Sequence, residues 1–254
     1  MTAILPNTPK KTPQPVIYPA GDGTPVAETY DHLYALFVTL EVLRQYLQGQ
    51  QATVLGNQFL YYAQGLPNLR IAPDVMVIFD VEPGGRDSYK VWEEGSVPAV
   101  VFEMTSQGTR QKDEVSKYEL YEAMGVLEYW QFDPKGEWIT EQLRGYRLEN
   151  DSYQPITDSI SQVLGLRLIA VGTLIEFYEL ETGTKLLIPE EQRELADQEA
   201  QRADQEAQRA DQEAQRADQE AQRADQEAQR ADQAEADLRA LKAKLKAQGI
   251  ELDD

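Results

Sequence analysis

Two acids and a lysine stand where solubility alone would not put them. Asp74 follows Pro73 and opens the apolar run 74–79 (DVMVIF), and Glu103 closes the run 99–102 (AVVF). Residues 112–124 (KDEVSKYELYEAM) have helical periodicity. At about 100° per residue, Asp113, Lys117, Leu120, Tyr121 and Met124 share one stripe, opposite Lys112, Ser116, Glu119 and Ala123. An unpaired charge turned toward a core costs several kcal/mol. The inward Asp113 and Lys117 therefore need partners, and Asp74 and Glu103 are the best candidates. Two carboxylates suit a hard divalent cation, Mg2+ or Mn2+, which takes one or two from protein and fills its shell with water and substrate phosphate. Lys117 beside them would orient an attacking water or steady charge building on a phosphate. Neighbouring carboxylates favour the charged form of a lysine, so electrostatic positioning is the expected role. The same residues also admit a plainer arrangement, an internal ion pair of Lys117 with Asp113 one turn away.

These residues need a sheet and a covering helix to meet. Residues 28–48 show a helical pattern, with Leu33, Phe37, Leu40, Leu43 and Leu47 recurring at spacings of three and four. Strand-like segments follow at 59–62, 74–79, 99–104 and 128–132 (EYWQF), with the 112–124 helix between the last two. A strand, a helix and a strand in that order predict an α/β fold, a mixed sheet flanked by helices. Beyond Pro134 the pattern becomes antiparallel hairpins over 146–156, 164–171 and 174–178, expected to extend that sheet. Their turns fall at Asn150-Asp151-Ser152 and Glu181-Thr182-Gly183-Thr184. His32, the single histidine, lies four residues after Glu28 and could reach the same pocket, although a lone helical histidine is more often structural. Tyr61-Tyr62 and Tyr129-Trp130 read mainly as core.

Composition narrows the classes. Of the chain's 44 acids and 24 bases, residues 1–188 hold 25 acids and 14 bases, and the remainder 19 acids and 10 bases. Such acidity opposes unspecific binding to nucleic acid or anionic lipid. The absence of cysteine excludes disulfides, zinc thiolate sites and cysteine nucleophiles. No apolar run approaches a membrane span or a signal-peptide core, so a cytoplasmic protein with no membrane partner is expected. GxGxxG, P-loop, GxSxG and metalloprotease histidine-pair patterns are missing.

Four regions are expected: a disordered Pro-rich N-terminus (1–19), the α/β domain (20–188), a long charged helix (189–248) and an acidic tail (249–254). The heptad ADQEAQR recurs five times over residues 196–230, in residues of high helix propensity. Its a and d positions are alanine, and the seam shifts by three residues to reach Leu238, Leu241 and Leu245. Flanking Asp and Glu positions repel a parallel copy, whereas Glu199, Arg202 and Glu206 support a lone helix. An oligomerisation rod or spacer and an expanded repeat without a partner both fit.

In order along the chain, Pro73-Asp74, Glu103-Met104-Thr105-Ser106, Thr109-Arg110, Asp113, Lys117, Tyr121, Gly125-Val126-Leu127-Glu128-Tyr129-Trp130 and Asp133-Pro134 resemble the Uma2 (DUF820) family of restriction endonuclease-like proteins. Ala27-Glu28-Thr29 with His32, and Asn57 with Leu60-Tyr61-Tyr62, resemble one branch of it. The resemblance spans about residues 20–188. It implies a PD-(D/E)XK-type core, Mg2+ dependence and hydrolysis of DNA phosphodiester bonds. By position, Asp74 and Glu103 are then the two metal-binding acids and Lys117 the catalytic lysine, moved onto the helix, with Thr105 where the superfamily places lysine. Asp113 supports Lys117, Glu28 is an extra ligand and Tyr121 a supporting residue. Gln107 stands where relatives often have lysine. The competing expectation is a catalytically inactive nuclease fold that oligomerises or tethers through its C-terminal helix.

Overall fold

The computed structural model describes residues 15–23, 28–105 and 110–247, with backbone alone for 110–115 and 245–246. Helix α1 (Tyr30–Tyr46) is followed by strands β1 (Ala52–Leu55), β2 (Leu60–Tyr61), β3 (Arg70–Ile71), β4 (Val75–Phe79) and β5 (Tyr89–Lys90). The short helix α2 (Val91–Glu94), β6 (Val100–Met104), helix α3 (Arg110–Met124) and β7 (Glu128–Phe132) come next. Strands β8 (Leu143–Glu149), β9 (Ser152–Ile156), β10 (Ile160–Ser161), β11 (Leu166–Val171) and β12 (Leu174–Glu179) precede helix α4 (Pro189–Ala247).

The main sheet has six strands in the order β1-β4-β6-β7-β8-β9, and only β6 and β7 run parallel. Their connection is α3, as a parallel pair requires a crossover. One face carries Val75, Val77, Val100, Phe102, Trp130 and Phe132, packed against α1 and against Leu166, Leu168, Ile175 and Phe177. The other carries Met76, Ile78, Val101 and Tyr129, packed against Tyr121 of α3, Leu60, Tyr89 and Tyr153. Period-2 alternation thus gives each strand two buried faces. Gly145 lies opposite Trp130 in the β7–β8 ladder, and a Cβ there would sit 2.6 Å from the indole.

Several expectations are corrected. Strands 164–171 and 174–178 do not extend the main sheet; β11 and β12 join β10 in a separate three-stranded sheet. Only the β8–β9 hairpin extends it, through a turn in which Asn150 and Asp151 both have positive φ, the type I′ pattern that matches strand twist. On α1 the buried stripe is Ala35, Leu36, Val38, Thr39, Val42 and Leu43, while Phe37 is exposed. Small and β-branched residues let the helix lie close to the sheet, and the bulky ring is turned out. Residues 15–19, assigned to a disordered segment by the sequence, are held: the Tyr18 ring packs on Tyr61 and Trp92, and the Tyr61 hydroxyl donates to the Pro19 carbonyl. Residues 1–14 and the acidic tail 249–254 lie outside the described residues.

The chain divides into two units, Met1–Glu191 and Gln192–Asp254. The described residues of the second belong to the 59-residue α4, and residues 193–244 are solvent-exposed. Among the described residues no helix is long and apolar enough to cross a membrane.

Candidate active site

Asp74 sits one residue before β4. Its placement follows from the chain opposite: the Asn57 N–H reaches the Pro73 and Asp74 carbonyls at 3.0 and 3.1 Å. Asn57 has φ 53°, a left-handed conformation asparagine tolerates, and a Cβ on Gly56 would come within 3.1 Å of the Asp74 carbonyl. Val75 pairs with Phe102 across the antiparallel β4–β6 ladder. Asp74, just before Val75, and Glu103, just after Phe102, therefore come to the same end of it, near enough for the charge of Asp74 to act on Glu103. Asp74 Oδ2 accepts from the Met104 N–H at 2.7 Å, tying the acid to β6.

Glu103 lies 5% exposed near the carboxyl end of β6. Its Oε2 accepts from Lys117 Nζ at 3.0 Å and its Oε1 from the Tyr121 hydroxyl at 2.6 Å. Lys117 and Tyr121 are one helical turn apart on α3, so one helix face delivers both donors, as the periodicity predicts. Ser116, Glu119 and Ala123 are exposed on the other side. Burial, opposed by Lys117 and reinforced by the charge of Asp74, pushes the Glu103 carboxyl up to about 7. Burial and the adjacent Glu103 push the Tyr121 hydroxyl well above its ordinary range, keeping it a donor.

His32 joins this pair to Glu28. Its Nε2 is 3.5 Å from Asp74 Oδ1 and its Nδ1 3.8 Å from Glu28 Oε2. The Nδ1 atom is buried without a hydrogen-bond partner among the described residues. Burial disfavours the charged imidazole, yet the bond to Asp74 and the charges of Asp74, Glu28 and Glu103 outweigh it and raise the pKa. The Thr29 hydroxyl caps α1 by accepting from the His32 N–H, which fixes where the helix begins. A cavity of about 90 Å3, lined by His32, Thr105, Lys135 and Trp138 among others, opens beside these residues.

The structure therefore brings Asp74, Glu103, Lys117 and Tyr121 together, with Glu28 reached through His32. The Asp113 side chain and Gln107 lie outside the described residues. Thr105 donates its N–H to the Phe132 carbonyl and continues the β6–β7 pairing. Two acids of the family-like string do structural work. Glu128 Oε1 accepts from Arg147 and from the Gln162 and Val163 N–H groups, and its Oε2 accepts from Trp130. Asp133 accepts the N–H groups of Lys135, Trp138 and Ile139 and closes the turn after β7. Sequence reading missed Gln131, buried opposite Glu103 in the β6–β7 register. Its signal was a polar residue at a strand position whose neighbours of the same parity are core tyrosine and buried acid.

Among the described residues no group of three or more His, Asp or Glu side chains is arranged to hold a metal ion. Asp74 and Glu103 still fit a divalent cation by donor chemistry. They are two hard oxygen donors, each carboxylate oxygen keeps a second lone pair beside its present bond, and one or two carboxylates suffice for Mg2+.

The family model matching residues 15–170 bears the description "Uma2: Putative restriction endonuclease". A solved structure, "Crystal structure of a putative nuclease belonging to DUF820" from Anabaena variabilis ATCC 29413, is 15% identical, with 60% of this chain and 79% of that one covered at a TM-score of 0.40. That likeness is too loose to carry an inference. No curated protein matches the chain.

Proposed function

The chain belongs to the Uma2 family, and from that premise we propose that it is a divalent-metal-dependent endonuclease hydrolysing phosphodiester bonds in DNA. The observation that carries the reading is the meeting of Asp74 and Glu103 on neighbouring strands with Lys117 Nζ 3.0 Å from Glu103. Asp74 and Glu103 are the residues to hold Mg2+ or Mn2+; Glu28, reached through His32, does not group with them as a third ligand. A bound ion would act as a Lewis acid on a phosphate oxygen and lower the pKa of water.

The protein's own groups supply the rest. Hydrolysis forms a bond from a water oxygen to phosphorus and breaks the bond to the leaving sugar oxygen, which takes up a proton as the water loses one. Negative charge accumulates on the phosphoryl oxygens, so a fixed cation at that point lowers the barrier. Lys117 is such a cation. Glu103 orients its ammonium, and the side chain is 19% exposed, so its head can reach a substrate. Tyr121 holds the second oxygen of Glu103 and keeps the carboxylate from rotating. Asp74 is fixed by the Met104 N–H and by His32, which limits the reorganisation needed when substrate arrives.

Cleavage of duplex DNA with added Mg2+ or Mn2+ tests the reading. Wild type should cut; Asp74→Ala and Lys117→Ala should lose cutting while folding normally. Retained cutting in both variants removes these residues from the mechanism.

A second reading draws on α4. Its exposed Leu238 and Leu241 give the last heptads an apolar seam, and a nuclease fold without activity that pairs through this helix would use it. Light scattering of the full chain and of a chain ending at Glu191 decides. A full-chain mass above one protomer that falls to a monomer on truncation supports pairing; equal monomers refute it.

A further inference from the structure

We infer that Arg70, laid over the ring of Phe59, grips a backbone phosphate of the DNA near the one that is hydrolysed. This rests on the nuclease reading above and extends it to how the substrate is held. Both residues belong to segments tied to Asp74. Arg70 opens β3 four residues before that acid, and four residues of chain span at most about 14 Å. Phe59 comes two residues after Asn57, whose N–H reaches the Pro73 and Asp74 carbonyls. The β2–β3 register pairs Leu60 with Ile71 and Tyr61 with Arg70. Leu60 and Ile71 pack into the core, so Arg70 lies on the opposite face of this small sheet. There its Cζ sits 4.5 Å from the centre of the Phe59 ring, and its Nη1 donates to the Pro67 carbonyl at 2.9 Å. The ring sets where the guanidinium rests and the carbonyl sets which way it turns.

Its charge is oriented without being cancelled. Arg86, Lys90, Arg147 and Lys185 each pair with a glutamate. Arg70 has the ring and the Pro67 carbonyl and, among the described residues, no carboxylate. A carboxylate would neutralise the charge it holds; an aromatic face and a peptide oxygen hold it and leave it positive. Arginine offers five donors in a planar fork that matches phosphate, and Pro67 occupies one of them. The Nε and Nη2 side of the fork makes no bond among the described residues. Arg70 is half-buried, which packs its stem and leaves its head within reach of solvent. Phosphate charges on one strand recur every ~3.4 Å of duplex axis, so a phosphate a few steps from the metal-binding acids lies in range. In an acidic domain, one directed cation beside the site gives the substrate a place to dock.

The test uses the full chain, labelled DNA duplexes of two sequences and a salt titration of binding. Each phosphate contact contributes about −0.9 to the slope of log K against log salt. Arg70→Gln should make the slope shallower by about 0.9 and weaken both duplexes equally, since a phosphate carries no sequence. It should raise KM for cleavage about tenfold while kcat stays within about twofold. Arg70→Lys should keep the slope and weaken binding by a smaller factor, because the charge survives and the fork does not. Phe59→Leu should likewise keep the slope and raise KM, because the charge remains and its support is lost. A purely structural role would lower the urea midpoint and leave the slope alone. An unaltered slope in folded Arg70→Gln overturns the inference while sparing the nuclease reading, and so does weakening of one duplex only, which marks a contact to a base. Should Arg70→Gln not fold, unchanged affinity in both Arg70→Lys and Phe59→Leu overturns it. Wild type that binds no DNA overturns both.

Discussion

Two buried glutamates sit at opposite ends of the parallel β6–β7 pair, and their surroundings differ in kind. Glu128, fully buried at the start of β7, accepts from an arginine, a tryptophan and two backbone N–H groups. Glu103, near the carboxyl end of β6, has Lys117 and Tyr121 as donors and a second acid, Asp74, as its neighbour. The first arrangement is neutralised and joins β7 to the segment leaving β10. The second sets two acids side by side at the end of the strands where open α/β sheets place ligands. Burial alone therefore does not mark a functional acid. What distinguishes Glu103 is a second acid beside it and donors that come from side chains alone.

The contrast can be broken most forcefully at Glu128. Glu128→Ala leaves Arg147 facing a void and should cost about 3–5 kcal/mol, the penalty for stranding half of a buried pair, read as a lowered urea midpoint. Cleavage per folded molecule should stay close to wild type. Lys117→Ala should do the reverse, lowering kcat about 10²- to 10³-fold, as loss of a charge-stabilising donor does, with a smaller fall in the midpoint because Glu103 can take up a proton in place of its lost partner.

A pH series sharpens the difference. The Glu103 carboxyl is raised from 4.5 to about 7, so the folded chain holds a proton that the unfolded chain has released in that window. The stability this contributes, about 3 kcal/mol, is complete below pH ~4.5 and is lost as pH rises through about 7. Glu94 and Glu176, held below the usual range by hydrogen bonds from Arg86 and Lys185, act in the opposite sense. The Glu103 part is therefore the difference between wild type and Glu103→Gln, whose stability should not show that decline. Metal binding needs the ionised acid, so below pH ~7 affinity should fall about tenfold per pH unit. Tyr121→Phe has the smallest expected effect. It removes one hydrogen bond to the ionised Glu103, worth about 1.5–3 kcal/mol, and should move the onset of metal binding to higher pH.

Much of this was legible in the sequence because it is local. The spacing of Lys117 and Tyr121 on one helix face, and the apolar runs opened by Asp74 and closed by Glu103, specify which side chains can meet. The family-like string added the role proposed for each. What escaped was set by pairing between distant segments. Strand β1 is four residues buried on both faces, a run with no alternation to reveal it. The two-residue strands β3 and β5 exist only through β2, which the 59–62 segment anticipated. The structural pairing of Glu128 could not be read from the sequence because its partners, Arg147 and residues 162–163, lie far along the chain. His32 was recognised as able to reach the pocket, but the bridge it makes from Glu28 to Asp74 depends on how α1 docks at the end of the sheet.

The central claim is that Asp74 and Glu103 form a divalent-cation site, and calorimetric titration of Mn2+ or Mg2+ near pH 8 tests it most directly. Wild type should bind the ion, while Asp74→Ala and Glu103→Gln should lose binding and Glu128→Gln, if folded, should retain it. No binding by wild type, or undiminished binding by folded Asp74→Ala, contradicts the account.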